Sequence, residues 1–335
     1  MSTEIRQIEP TDFDQIFELF GRRKSRSLLG WIYGHPCAEG RSGYVAVQDG
    51  RIIGAVGFVR STYVVNGKKL TGLIPLSWEV EEESRGITGI RLLRRALSNA
   101  DFFMGMDGSE DMKAIFKGLN FKKIGEGKNA RKVIRPFAYL KTLRKIGIRD
   151  LLRMVSHVWN NMTSVTPVSR VQLIEITANY SSGTTGDVIP GLFYNTISPD
   201  HVQWLTSSPG MTAIVFEVQI ENTVYAPIHC FIRYMQNGCR RGQITHIPPL
   251  RTEHKSYYID IVLAIEDYFR KNEITSISTL VTNPDLESAL KVLRYTFDPK
   301  IRPIVIKSDE ETERRFEGTT IHLSYAESDK SIRNI

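Results

Sequence analysis

Cysteine is scarce in this chain. Only Cys37, Cys230 and Cys239 occur in 335 residues, at spacings that match no metal-ligand set. That excludes a disulfide scaffold and fits a reducing compartment. Cys37 has no catalytic partner assignable from sequence and reads as an inert thiol. The seven histidines are scattered without spaced partners, so no metal site is expected. Long apolar runs are missing too, as is a charged-then-apolar opening segment, and the expectation is a cytoplasmic protein. Acidic residues fail in one place. Residues 117–153 carry twelve Lys/Arg against Glu126 and Asp150, a net charge of +10 in a chain whose total is +7.

The stretch Leu76–Phe121 carries the clearest pattern. Leu76, Trp78 and Val80 alternate as in a half-buried strand. Arg85-Gly86 and Thr88-Gly89 make a turn, and a helical pattern follows with Ile90, Leu93, Leu97 and Ala100 on one face. A glycine-bearing turn between strand and helix aims free backbone N–H groups and the positive helix end at one point, which suits a pyrophosphate. Next come a short apolar segment, Phe102–Met106, and a second amphipathic helix with Met112, Ile115, Phe116 and Leu119; Phe121 closes the unit.

This order resembles the acetyl-CoA-binding core of the GCN5-related N-acetyltransferase (GNAT) superfamily. The family's V-x-P-x-x-R-G-x-G-x-G segment corresponds to Val80 through Ile90, and its Y-x-x-x-G-F segment to Phe116 through Phe121. Thr88 and Ile90 stand where the family has glycines, and Phe116 replaces the tyrosine that in many members protonates the departing thiolate. The resemblance implies that Val80, Arg85, Gly86, Ile87, Thr88, Gly89, Ile90 and Phe116 contact the cofactor. Acetyl-CoA or another acyl-CoA would be the co-substrate, with no metal. The guanidinium of Arg85 suits a phosphate bidentately.

The chain also repeats itself. Trp31 opens W-I-Y-G-H-P and Trp204 opens W-L-T-S-S-P; Phe58-Val59-Arg60 is echoed by Phe231-Ile232-Arg233. Asn66-Gly67, a strong hairpin signal, is echoed by Asn237-Gly238, and Ile74-Pro75 by Ile247-Pro248. Both W-x-x-x-x-P segments read as a shared turn. Duplication is the better account of this shared order.

The expected fold is therefore α/β with a mixed (α+β) sheet, built as two tandem GNAT-like acyltransferase domains. The boundaries are 1–132 for an acyl-CoA-binding domain, 133–166 for a basic helical linker, and 167–335 for a degenerate second copy. Strands are expected at 5–8, 43–48, 52–62 and 69–80, then at 172–177, 213–219, 224–234, 241–247 and 277–281. Helices are expected over 13–20, 136–162 and 256–271 and after Pro284. The second copy has Pro248 through Ser256, without glycine, where the first has its cradle. Side chains there would crowd a diphosphate. One active site per chain is expected.

Transfer to an amine needs a base, an acid and an acceptor pocket. Glu79, on the strand leading into the cradle, is the candidate base, though a solvent-facing strand glutamate reads equally well. Ser109 is the candidate acid, with a helix cap as its bland alternative. Trp31 is the candidate acceptor-pocket residue, against simple aromatic packing. His229 and His246 flank strands of the second copy; they could face the cleft between the domains, against the commoner reading of a lone strand histidine simply satisfied by hydrogen bonds.

The leading expectation is an N-acyltransferase, most simply an acetyltransferase, acting on a small-molecule amine such as an amino sugar. The alternatives are a transferase using an acyl-carrier or aminoacyl-tRNA donor, and a non-catalytic CoA-binding module. No specific nucleic-acid contact is expected. The basic segment 135–162 reads either as a packed connector with a solvated face, or as a peripheral contact with a membrane or other anionic surface.

Overall fold

The computed structural model describes residues 3–21, 24–33, 43–106, 108, 110–140, 148–162, 171–176, 189–196, 198–220, 223–235 and 238–323. The first half runs β1 (Glu4–Gln7), α1 (Phe13–Leu19), α2 (Arg26–Tyr33), β2 (Gly43–Gln48), β3 (Arg51–Val65), β4 (Lys68–Val80), α3 (Ile87–Leu97), β5 (Phe102–Met106), α4 (Glu110–Gly118) and β6 (Lys122–Val133). Two helices, α5 (Pro136–Leu140) and α6 (Ile148–Met162), lie between the halves in sequence. The second half follows as β7 (Val171–Glu175), β8 (Leu192–Thr196), α7 (Pro199–Thr206), β9 (Met211–Ile220), β10 (Thr223–Tyr234), β11 (Arg240–His246), α8 (Tyr258–Lys271), β12 (Ser276–Val281) and α9 (Pro284–Val292). It closes with β13 (Thr296–Phe297), β14 (Arg302–Ser308), α10 (Glu310–Arg315) and β15 (Thr320–His322).

Local chemistry explains much of this order. Asn66 and Gly67 both take positive φ (47° and 83°), giving the tight turn that joins β3 to β4. Asn283 caps α9 by accepting from the N–H groups of Asp285 and Leu286, with Pro284 at the first helical position. The inner face of α3 is Thr88, Gly89, Leu92, Leu93 and Ala96, rotated from the expected Ile90/Leu93/Leu97/Ala100 face, and the helix stops before Ala100.

The strands form one mixed sheet in the order β1-β2-β3-β4-β5-β14-β6-β12-β11-β10-β9-β7. The two halves exchange strands. β14 of the second half pairs antiparallel with β5 of the first, and β6 of the first pairs antiparallel with β12 of the second. β6 and β14 lie side by side at the centre. The expected boundary at residue 132 falls within β6, whose ends are tied to the second half. Lys122 pairs with Glu313 at 2.7 Å, Lys128 with Glu287 at 3.0 Å and Lys132 with Glu266 at 2.9 Å. Part of the basic excess thus meets acids of the other half.

A pseudo-twofold relation centres on the two repeated tryptophans. Trp31 on α2 and Trp204 on α7 stack with centroids 4.1 Å apart and rings parallel within 1°. Each indole N–H donates to the other's backbone carbonyl, at 2.9 and 3.1 Å. Both lie in helices, so the two tryptophans of the W-x-x-x-x-P echo are a helix-borne packing pair; turns follow at Ser207 and at Pro209-Gly210 in the second half, while Pro36 of the first lies outside the described residues. Around them Ile16, Phe20, Leu28, Ile32, Val59, Leu76, Leu205 and Phe231 join the halves in one core. Trp31→Phe leaves a smaller ring in the stack and removes one donor from a buried carbonyl, so thermal denaturation should show a loss of at least about 1–2 kcal/mol. No change would mean that the reciprocal bonds contribute nothing net.

Candidate functional site

In the first half the β3–β4 ladder slips by one residue. Phe58 opposes Pro75 and Gly57 opposes Ser77, leaving Leu76 as the extra residue of a bulge. Just before it, β4 is paired in parallel with β5 only through Gly72–Phe102 and Leu73–Phe103. Beyond Leu73 the strands part, with β4 remaining on β3 and β5 on β14. The result is a wedge whose edges carry backbone N–H and C=O groups. Because β4 and β5 are parallel, the N-termini of α3 and α4, which follow them, lie at the same open end.

The start of α3 is shaped by two glycines. Gly86 sits at φ +91° and ψ −85°, a backbone state available essentially to glycine alone, with open space around it. At Gly89 a Cβ would lie 3.3 Å from the Trp78 ring, so glycine lets the helix close onto the strand. Thr88 is buried, and a Cβ on Gly54 would come 3.3 Å from its methyl group. Its side chain therefore packs inward, while Ile87 is 76 % exposed. Ile90 is half-buried, and Val80 belongs to the core with Leu92 and Leu93. What this turn offers a ligand is main chain: the N–H groups of Ile87, Thr88 and Gly89, which have no acceptor within the helix.

Glu79 and Arg85 meet at 3.9 Å, with Arg85 half exposed and Glu79 mostly covered. Trp78 and Val80 pack on the α3 side, so Glu79 takes the opposite, α1–α2 side of β4. Ser77 shares that side by parity and accepts from the Lys24 ammonium at 3.0 Å. Sequence reasoning missed the Lys24–Ser77 pair; the available signal was the spacing of two between Ser77 and Glu79.

Phe116 lies behind β5. Its ring packs on Phe121 at 4.5 Å between centroids, and a Cβ on Gly105 would lie 2.6 Å from it. It is a core residue here with no proton to give. Ser109 and Cys37 lie outside the described residues. Trp31 is occupied by its stack with Trp204 and does not line an open pocket.

The second half repeats the bulge and the wedge. His229 opposes His246 and Cys230 opposes Ile244, so Thr245 is the extra residue, and parallel pairing of β11 with β12 ends at Ile244–Thr279. By this register Thr245 is the counterpart of Leu76, which displaces the expected equivalence of Ile74-Pro75 with Ile247-Pro248. This wedge is bridged by the chain itself. His322 donates through Nε2 to the Ile247 carbonyl at 2.7 Å, while its Nδ1 accepts from Asn283 at 3.0 Å. The Thr282 hydroxyl lies 3.1 Å from the carbonyls of both Ile321 and Leu323 and accepts from the Leu323 N–H at 2.8 Å. The Tyr258 ring covers His322, with centroids 6.2 Å apart.

Histidines crowd the second bulge. His229 and His246 are both buried with rings 6.0 Å apart, and the His229 Nε2 has no partner among the described residues. Burial pushes His229 down to about 3. Burial also brings His322 to about 4, against the opposing pull of its bond to Ile247. His246 is held well below the ordinary value by burial first and by its histidine neighbours second. All three are neutral imidazoles at pH 7. Among the described residues no group of His, Cys, Asp or Glu is arranged to hold a metal ion, and no helix is long and apolar enough to cross a membrane.

No protein-family model matches the sequence, and no curated protein matches it. Solved structures do match in fold. A GCN5-related N-acetyltransferase from Anabaena variabilis superposes with a TM-score of 0.59 at 9 % identity, over 91 % of this chain and 72 % of that one. Saccharomyces cerevisiae N-myristoyltransferase with bound myristoyl-CoA gives 0.58 at 8 % identity, over 96 % and 84 % of the two chains. A tandem GNAT protein from the clavulanic acid biosynthesis pathway gives 0.53 at 9 % identity, over 91 % and 98 %. The chain has the GNAT fold, in a tandem arrangement, as a mixed α/β structure.

Proposed function

We propose that this protein is an acyl-CoA-dependent N-acyltransferase with one donor site, in its first half. One observation carries the reading. The glycine-led start of α3 stands at the end of a wedge whose ladder stops at Leu73–Phe103, whereas the equivalent wedge is bridged by Ile321–Leu323. The N–H groups of Ile87, Thr88 and Gly89 and the Arg85 guanidinium suit a pyrophosphate. The bound donor would supply an activated thioester. The interrupted ladder at Leu76 leaves room for a backbone donor to a developing oxyanion, and Glu79 would take the proton from the acceptor ammonium. Structures of this fold are described as N-acetyltransferases and as a myristoyltransferase with its acyl-CoA, which supports an acyl-CoA donor. In this reading acetyl is the acyl group and a small amine, such as that of an amino sugar, is the acceptor.

A second reading, a donor-binding protein without turnover, is favoured by Phe116, which is buried and lacks the hydroxyl expected of a proton donor. Calorimetry with acetyl-CoA tests the common part of both. Gly86→Ala forces a side chain into a glycine-only backbone state and should weaken binding about 10–100-fold. Unchanged affinity in a folded variant would move the donor site away from α3. Release of free CoA thiol in the presence of amines then separates catalysis from binding alone.

A further inference from the structure

One apolar face of α6 points away from the protein. Ile148, Leu152, Val155 and Trp159 are 75, 66, 60 and 67 % exposed, and their spacing of four, three and four residues puts them in one stripe. Phe137, on the neighbouring α5, adds a further ring at 66 % exposure. The opposite face holds the helix in place. Asn161 donates to the Val133 carbonyl at 2.9 Å and accepts from Arg270 at 3.2 Å, with Met154, His157 and Val158 half-buried beside it. A helix that serves only as a connector turns its apolar stripe inward. Here polar anchors keep the stripe outward, as an exposed apolar patch that calls for a partner.

Charge identifies the partner. Ion pairs with Glu313, Glu287, Glu266 and Glu273 engage Lys122, Lys128, Lys132 and Arg135. The remaining part of the basic run, residues 141–153, has five Lys/Arg (Lys141, Arg144, Lys145, Arg149 and Arg153) against Asp150 alone. By position on the helix, Arg149 follows the stripe at one edge and Arg153 lies beyond it, toward the anchored face. A second copy of this chain would bring the same positive charge against it. An anionic lipid surface complements both features: acyl chains take the aliphatic stripe, headgroups take the arginines, and the Trp159 indole suits the boundary.

We propose that α6, together with Phe137, is an in-plane helix that docks this protein on anionic membrane surfaces, independently of the donor site. The test is co-sedimentation of the full chain with phosphatidylcholine vesicles, with and without phosphatidylserine. Binding should be at least about tenfold stronger with phosphatidylserine and should weaken as salt is raised. Leu152→Ser with Trp159→Ser should lower it at least about tenfold while leaving the thermal melt in place, since both side chains are exposed. Equal recovery in the supernatant with both vesicle types overturns the proposal. So does a dimer in light scattering that the double variant converts to monomer, because a second copy would then cover the stripe.

Discussion

Lowering the pH from 7 to 5 should remove about 4 kcal/mol of folding stability through His229 and His322 alone, about 2 kcal/mol from each. Burial holds them at about 3 and about 4 in the folded protein, whereas the unfolded chain titrates them near 6.5. Between these values the unfolded state binds protons that the folded state refuses, so stability falls as the pH drops below about 6.5 and is fully present above it. His246 acts in the same direction. Urea denaturation at pH 7, 6 and 5 measures the slope, which for each neutral buried histidine approaches about 1.4 kcal/mol per pH unit. His229→Gln should flatten it. A level profile from pH 7 to 5 would mean that the cluster is not buried and neutral as described.

Lys132→Met should destabilise the protein by about 3–5 kcal/mol, lowering the melting temperature by roughly 10 °C. The Lys132 ammonium on β6 lies 2.9 Å from both carboxylate oxygens of Glu266 on α8, and both side chains are almost fully buried. Burial pulls the ammonium's pKa down, and Glu266 opposes that pull. Removing the cation leaves a carboxylate at 0 % exposure with Arg270, itself a third exposed, as its remaining ionic partner. Replacing both members, Lys132→Met with Glu266→Leu, should recover most of the loss, because well-packed apolar groups of similar size can stand in for a buried ion pair. A single variant within about 1 kcal/mol of wild type would show that the exchanged strand is not anchored here.

The strands of both halves were legible from alternation and from the hairpin turn at Asn66-Gly67, and their bounds agree within a few residues with β2 to β4 and β9 to β12. The Arg85-Gly86 turn marked the start of α3. Three features escaped, each for a physical reason. The exchange of β6 and β14 is a non-local pairing, and a strand's period says which face is buried but not which neighbour it finds. The facing of Glu79 depends on the extra residue at Leu76, which changes side-chain parity without changing composition. The bridging of the second wedge uses His322 and Thr282, 40 residues apart in sequence, polar groups whose partnership only the fold creates. The repeat itself was visible through Trp31 and Trp204, while their mutual stacking was not.

Calorimetric titration of the purified protein with acetyl-CoA, read for stoichiometry, tests the central claim most directly. One molecule bound per chain, weakened about 10–100-fold in Gly86→Ala and retained in His322→Ala, places the donor at the start of α3 and leaves the bridged wedge out. Two molecules per chain, or one that Gly86→Ala leaves intact and His322→Ala alters, would contradict it.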